Sequence, residues 1–320
     1  MTIIIARQEQ YGQFCLIFCP AGIVYWVNVP GTAVLPGRGD NNIHICEGKE
    51  MLLPTVDFCG LRLTRLLLGA NPFGGFSHQN SARDEAMRSW HTPERILETW
   101  DRAWKAGINT FVTNNETKHV IETTEKYLSG GGPMQWIAQV SYRTYDSMEQ
   151  SIDRAAAIGC RALYFHGGLV DELFSRRDVN CIRRWVEYGK RKGFPVGVAA
   201  HNLQAHEWVN DLQIVDFHAV PFFNCGSVHH RSGGERFQLE DVFQATALIR
   251  ALPRPCIAYK ILGAGRIDPF MGFDYALRNI KAGDVINVGM NRLDNDRMVE
   301  ENVALTARLL GVEQEPATTP

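Results

Sequence analysis

The chain has 320 residues, 45% of them hydrophobic and 21% charged, with 33 basic and 35 acidic side chains interspersed. It can bury one large core or two modest ones, and a formal net charge of −2 leaves neither a basic stripe for nucleic acid nor an acidic tail for disorder. Its eight cysteines form neither a CxxC pair nor a dense secreted framework, which points to a reducing, cytoplasmic setting.

Residues 1–50 stand apart as an N-terminal appendage. The apolar stretch FCLIFCPAGIVYWVNV at 14–29 is interrupted by Pro20 and falls short of the ~20 residues of a membrane span, so no stable membrane association is expected. A signal-peptide reading has Arg7 in its favour but Glu9 against it, and no small-residue cleavage site follows. Met51 opens a fresh, well-patterned segment; a disordered appendage and translation starting at Met51 are both open readings.

From Met51 onward, apolar runs alternate with amphipathic segments. Strands are expected at 65–70, 109–113, 134–140, 160–167, 195–201, 215–223, 256–262 and 284–290. Helices are expected near 94–106, 116–128, 146–158, 176–192, 203–211, 239–251, 273–281 and 294–310, the first opened by a capping Thr92 and by Pro93. Runs that are apolar throughout suit parallel strands covered on both faces, with helices as the crossovers. This α/β pattern over about 255 residues predicts a (β/α)8 TIM barrel across 51–311, with a flexible tail at 312–320. A doubly wound sheet would more often carry GxGxxG after its first strand, and none is present there.

In such a barrel the chemistry lies where strands end. Asn71, Asn114, Gln139, His201 and Asn224 occupy those positions as candidate substrate-binding groups, and Asn287 joins the ring. His166, Lys260 and Glu116 are the candidates for proton transfer. His166 precedes two glycines that permit close approach by a ligand, although a simple bond to a neighbouring carbonyl also accounts for it. His201 either faces the pocket or caps the next helix, and His218, nearer the start of its strand, reads as a satisfied core histidine. His229-His230 fits a solvated or substrate-covering loop. Lys260 in CIAYKIL is a general acid, an anchor for an anion, a Schiff-base amine, or the partner of a buried carboxylate. The long loop FGGFSHQNSARDEAMRSW at 73–90 is expected to form part of a lid, with Phe73, Phe76, His78 and Trp90 offering flat faces to a sugar ring.

The order of these features resembles the aldo/keto reductases over roughly 56–305. TVDFCGLRLTRLLLGANPFGG is similar to their barrel-plugging hairpin and first strand, WDRAWKAGINTF to their second, and the strand ending in His166 takes the place of their catalytic histidine. IRRWVEYGKRKGFPVGVAAHN, AYKILGAGR and NVGMNRLDNDRMVEENV resemble later segments in the same order. The resemblance implies an NADP(H)-dependent oxidoreductase acting on a small carbonyl or sugar compound. It assigns Tyr259 to the nicotinamide, Gly263, Gly265 and Arg266 to the pyrophosphate, and Arg297, Glu301 and Asn302 to the adenosine end.

The departures are as specific as the matches. The family's Asp-Thr-Ala reads Val112-Thr113-Asn114, no tyrosine follows among Asn115 to His119, and no lysine stands near Gln139-Val140. The Ser-Asn pair that would hold the carboxamide reads Ala199-Ala200. Carbonyl reduction therefore lacks its usual proton donor, and the 263–266 loop suits a sugar phosphate equally well. Three readings stay open: a reductase-like barrel enzyme with or without NADP(H), a metal-dependent isomerase or lyase with Glu116, His166 and His201 around a divalent ion, and a ligand-binding protein without turnover.

Overall fold

A computed structural model describes residues 4–6, 14–18, 24–28, 53–223 and 237–312. Asn224, His229, His230 and the tail beyond residue 312 lie outside the described residues. The chain divides into two compact units, Met1–Lys49 and Glu50–Pro320. In the first, β1 (Ile4–Ala6), β2 (Phe14–Phe18) and β3 (Val24–Asn28) form an antiparallel sheet in that order.

The second unit opens with a hairpin of β4 (Thr55–Phe58) and β5 (Leu61–Thr64). Its two-residue turn, Cys59-Gly60, has φ of 55° and 83°, and Asp57 Oδ1 accepts the Gly60 N–H at 2.8 Å. Positive φ at both turn residues matches the twist of the strands they join. Phe58 and Leu63 are fully buried in one cluster with the inward barrel residues Leu67 and Phe217, the two phenylalanine rings 5.2 Å apart. The hairpin thus plugs the end of the barrel where the strands begin.

The barrel follows, with at least one helix between each strand and the next. Its first half comprises β6 (Leu66–Gly69), α1 (Asn71–Gly74), α2 (Ser81–Trp90), α3 (Pro93–Ala106), β7 (Thr110–Asn114), α4 (Lys118–Ser129), β8 (Gln135–Val140), α5 (Met148–Ile158) and β9 (Ala162–Phe165). The second comprises α6 (Gly167–Arg176), α7 (Val179–Arg191), β10 (Val196–Ala199), α8 (Leu203–Asp211), β11 (Phe217–Pro221), α9 (Glu240–Ala251), β12 (Cys256–Tyr259), α10 (Pro269–Asn279), β13 (Val285–Gly289) and α11 (Met298–Leu309). Strands β6 to β13 are parallel and close into a ring, the last pairing with the first through Asn287 and Leu67. The two faces of the strands feed separate cores: Leu67, Val112, Ile137 and Ile257 fill the barrel, while Leu66, Leu68, Phe111 and Ala258 pack under the helices. Two buried faces explain the unbroken apolar runs of the sequence.

Four features depart from the sequence expectation. Residues 81–90, expected within a lid loop, form α2, which Asn80 caps by accepting the Arg83 N–H at 2.9 Å and which buries Met87. Residues 167–176 form the additional helix α6, and α10 begins at Pro269 rather than 273. His218 does not line the barrel: Phe217 and Ala219 face inward, so it points to the helix layer. There its Nδ1 lies 3.1 Å from Nδ1 of His206 on α8, and its buried Nε2 has no hydrogen-bond partner.

Candidate active site

Helix α6 assembles the centre of the site. His166, immediately after β9, caps this helix: its Nδ1 accepts the Gly168 N–H at 3.1 Å. Burial, then the positive charge of Arg143 and neighbouring groups, pushes its pKa down to about 3. A neutral imidazole that accepts through Nδ1 carries its proton on Nε2, so His166 is a hydrogen-bond donor at that nitrogen.

His201, just beyond β10, has the opposite polarity. Its Nδ1 lies 2.9 Å from Oδ2 of Asp171, a residue of α6. The same carboxylate accepts the backbone N–H groups of His201, at 3.1 Å, and Asn202, at 3.0 Å. Burial raises the Asp171 pKa, but the bonds from His201 and the backbone outweigh it and hold the group ionised below the ordinary carboxylate range. An ionised carboxylate only accepts, so His201 keeps its proton on Nδ1 and its lone pair on Nε2. Burial lowers its pKa, against the pull of Asp171, which favours the neutral ring. The two imidazole centroids are 6.3 Å apart.

The glycines that follow His166 serve side chains of the protein itself. A Cβ on Gly167 would sit 2.9 Å from His201 Cε1, and one on Gly168 would sit 3.2 Å from Arg143 Nη2. Arg143 and Asp171 are the two residues of this cluster that the sequence reading missed. Asp171 lies on a helix not foreseen, and Arg143 lies three residues past the end of β8 with no motif to mark it.

Around this core stand the other candidates. Lys260 follows β12 in a left-handed backbone conformation, φ 57°, with Nζ 5.9 Å from the centroid of the Tyr259 ring. Asn71 Nδ2 lies 3.3 Å from His78 Nε2, and burial, followed by the positive charge of Lys260, pushes the His78 pKa down to about 3. Asn114 is turned to structural use: its Oδ1 accepts the N–H groups of Glu116, at 3.0 Å, and Thr117, at 2.8 Å. Gln139 is its half-buried partner across the β7–β8 pair. Glu116 Oε1 is buried without a hydrogen-bond partner. Among the described residues no three His, Cys, Asp or Glu side chains come together to hold a metal ion, so Glu116, His166 and His201 do not form the divalent-ion site that the isomerase reading requires.

A separate hollow of about 1320 Å³ lies at the opposite end, where the strands begin. It is bordered by the ion pairs Lys190–Asp216 and Lys281–Asp284, which tie loops together there. The candidate site lies at the carboxyl ends of the strands and the hollow at their amino ends, the end that in such barrels serves stability.

Solved structures match across the barrel. A Pseudomonas aeruginosa protein assigned as an aldo-keto reductase matches with a TM-score of 0.56 at 17% identity, covering 80% of this chain and 94% of its own. The aldo-keto reductase AKR11C1 from Bacillus halodurans, in its holo form, gives 0.52 at 10% identity over 83% and 93%. The fold is that of the aldo-keto reductases. A third match, Gox0644 in its apo form, gives 0.53 at 13% identity over 84% and 96%. No family model and no curated protein matches the sequence.

The sequence resemblance carries an expectation of NADP(H), and the described residues do not fit it. The N–H groups of Gly263, Gly265 and Arg266, expected at a pyrophosphate, donate within their own loop to Lys260 and Leu262 carbonyls at 2.9, 3.0 and 3.0 Å. The Arg266 guanidinium binds the carbonyls of Gly263, at 3.0 Å, and His78, at 3.2 Å. Ala199 and Ala200 are buried and bring no polar side chain to a carboxamide. Glu301 Oε2 accepts from Asn295 at 2.6 Å, Arg297 is exposed, and Asn302 is buried at 6% exposure.

Proposed function

We propose that the barrel mouth is an active site for proton transfer on a small carbonyl or sugar compound. The observation that carries this reading is the pair of neutral imidazoles with opposite tautomers, His166 donating from Nε2 and His201 accepting at Nε2, its other nitrogen bonded to Asp171 at 2.9 Å. One base and one neutral electrophile side by side form the arrangement that enolisation needs. His201 takes the proton from carbon beside a carbonyl, and Asp171 holds the imidazole in register and stabilises the imidazolium that results. His166 donates to the carbonyl oxygen as it gains charge, and Lys260 adds positive potential nearby. Glu116, with its unbonded buried oxygen, is a second proton-transfer group at the rim.

A second reading, an aldo-keto-reductase-like oxidoreductase, is supported by the shared barrel. Two measurements separate them. Proton NMR of small sugars and hydroxy-carbonyl compounds in D2O is expected to show enzyme-dependent loss of the C–H signal beside the carbonyl, abolished in His201→Asn. Fluorescence titration with NADPH is expected to show no stoichiometric binding. Stoichiometric binding together with absent exchange would discard the proton-transfer reading in favour of the oxidoreductase.

A further inference from the structure

Building on the proton-transfer reading, we propose that Arg143 anchors an anionic group, a carboxylate or a phosphate, on the substrate of this site. Several other arginines are paired with carboxylates. Arg102 binds Glu300 through two nitrogens at 2.8 Å each, Arg154 binds Glu125 through two nitrogens, at 3.1 and 2.6 Å, and Arg292 binds Glu98 and Asp296. Arg143 is exposed and its guanidinium makes no hydrogen bond or ion pair among the described residues, while its position borders the site. Its backbone N–H donates to Ser141 Oγ at 3.2 Å, which fixes the turn after β8. Its Nη2 lies over Gly168 and beside the His166 ring, in space that a side chain at 168 would contest.

Asp171, the carboxylate of this cluster, is already occupied by three N–H donors from His201 and Asn202. It therefore does not compete for the guanidinium. Charge from Arg143 also reaches the chemistry, since after burial it is the foremost cause of the depressed His166 pKa. A planar guanidinium matches a carboxylate or phosphate through two parallel hydrogen bonds, and a ligand so held presents its adjacent carbons to His166 and His201. The substrate class that follows is a short hydroxy- or keto-acid, or a phosphate ester of a small carbonyl compound.

The test is calorimetric titration of the full-length protein with inorganic phosphate, with oxalate, and with glycerol as a neutral control. Saturable binding of at least one anion is expected, weakened about tenfold or more in Arg143→Gln, partly restored in Arg143→Lys and unchanged in Arg254→Gln at the other end of the barrel. The tighter of the two anions identifies the headgroup. Binding no tighter than that of glycerol, or equal affinity in the wild type and Arg143→Gln, would overturn the proposal. His201→Asn is expected to lose proton exchange while keeping anion affinity. Exchange that survives His201→Asn, with anion binding still dependent on Arg143, would remove the proton-transfer reading and leave the anchor in place.

Discussion

His166 and His201 face each other with ring centroids 6.3 Å apart and carry their protons on opposite nitrogens, because one accepts a backbone N–H and the other donates to a carboxylate. Neither orientation is intrinsic to histidine. Each is imposed by α6, which supplies Gly168 N–H to the first ring and Asp171 to the second.

Asp171→Asn is expected to leave the barrel folded and reduce kcat for proton exchange by about 10²- to 10⁴-fold, with little change in KM. A carboxamide can donate as well as accept, so the His201 tautomer is no longer fixed. Steady-state rates of exchange in D2O check this, and an unchanged kcat would remove Asp171 from its positioning role.

The acid limb of the activity profile is expected below pH 6.5, the ordinary histidine value. Burial lowers the His201 pKa, so the ring stays neutral and basic until the pH falls further. An exchange rate measured from pH 4 to 8 that already declines above pH 7 would contradict this assignment.

The two glycines of α6 are expected to respond unequally to alanine. At Gly167 a Cβ meets the His201 ring at 2.9 Å, and that ring is held by Asp171; a cost of about 1–3 kcal/mol and loss of exchange follow. At Gly168 the closest atom, at 3.2 Å, is the far end of the flexible Arg143 side chain, so stability should change by less. Denaturant melts of the two variants compare them directly.

The barrel was legible in the sequence because its strands are apolar on both faces and its helices are amphipathic. The exceptions are physical. Helix α2 buries only Met87, so it carries no apolar stripe to read, and α6 opens on two glycines behind a histidine cap, which looks like a loop. Missing α6 meant missing Asp171 and with it the polarity of His201. Along VDFHAVPFF the apolar character on both sides gives no phase, so only the closed ring reveals that His218 faces outward. Lys260, Tyr259 and Asn287 could be placed at strand ends from the pattern alone, but whether a loop amide is free or already bonded is decided by turns such as 262–267, which local sequence does not specify.

Stability should fall on acidification through the buried His206–His218 pair. Burial pushes the His206 pKa down to about 4 and that of His218 well below its ordinary value. At pH 7 the rings are neutral in both folded and unfolded chains and contribute nothing. Below pH 6.5 the unfolded chain binds protons that the folded one refuses, and the loss for His206 alone grows to about 3 kcal/mol near pH 4. Unfolding free energies measured at pH 7 and 4.5 are expected to differ less in His206→Gln/His218→Leu than in the wild type.

Phe58→Ala should destabilise the second unit by about 3–5 kcal/mol, since the ring is fully buried against Phe217 and its loss leaves a void at the base of the barrel. Thermal unfolding measures the cost. Anion binding at Arg143 is expected to survive at temperatures below the new midpoint.

The β4–β5 hairpin also sets the traffic of the molecule. With Phe58 and Leu63 fully buried where the strands begin, the carboxyl ends of the strands are the side from which a reactant would reach His166 and His201 under the proton-transfer proposal. Product and reactant would then share that side, and inhibition by product that competes with substrate is the expected steady-state pattern.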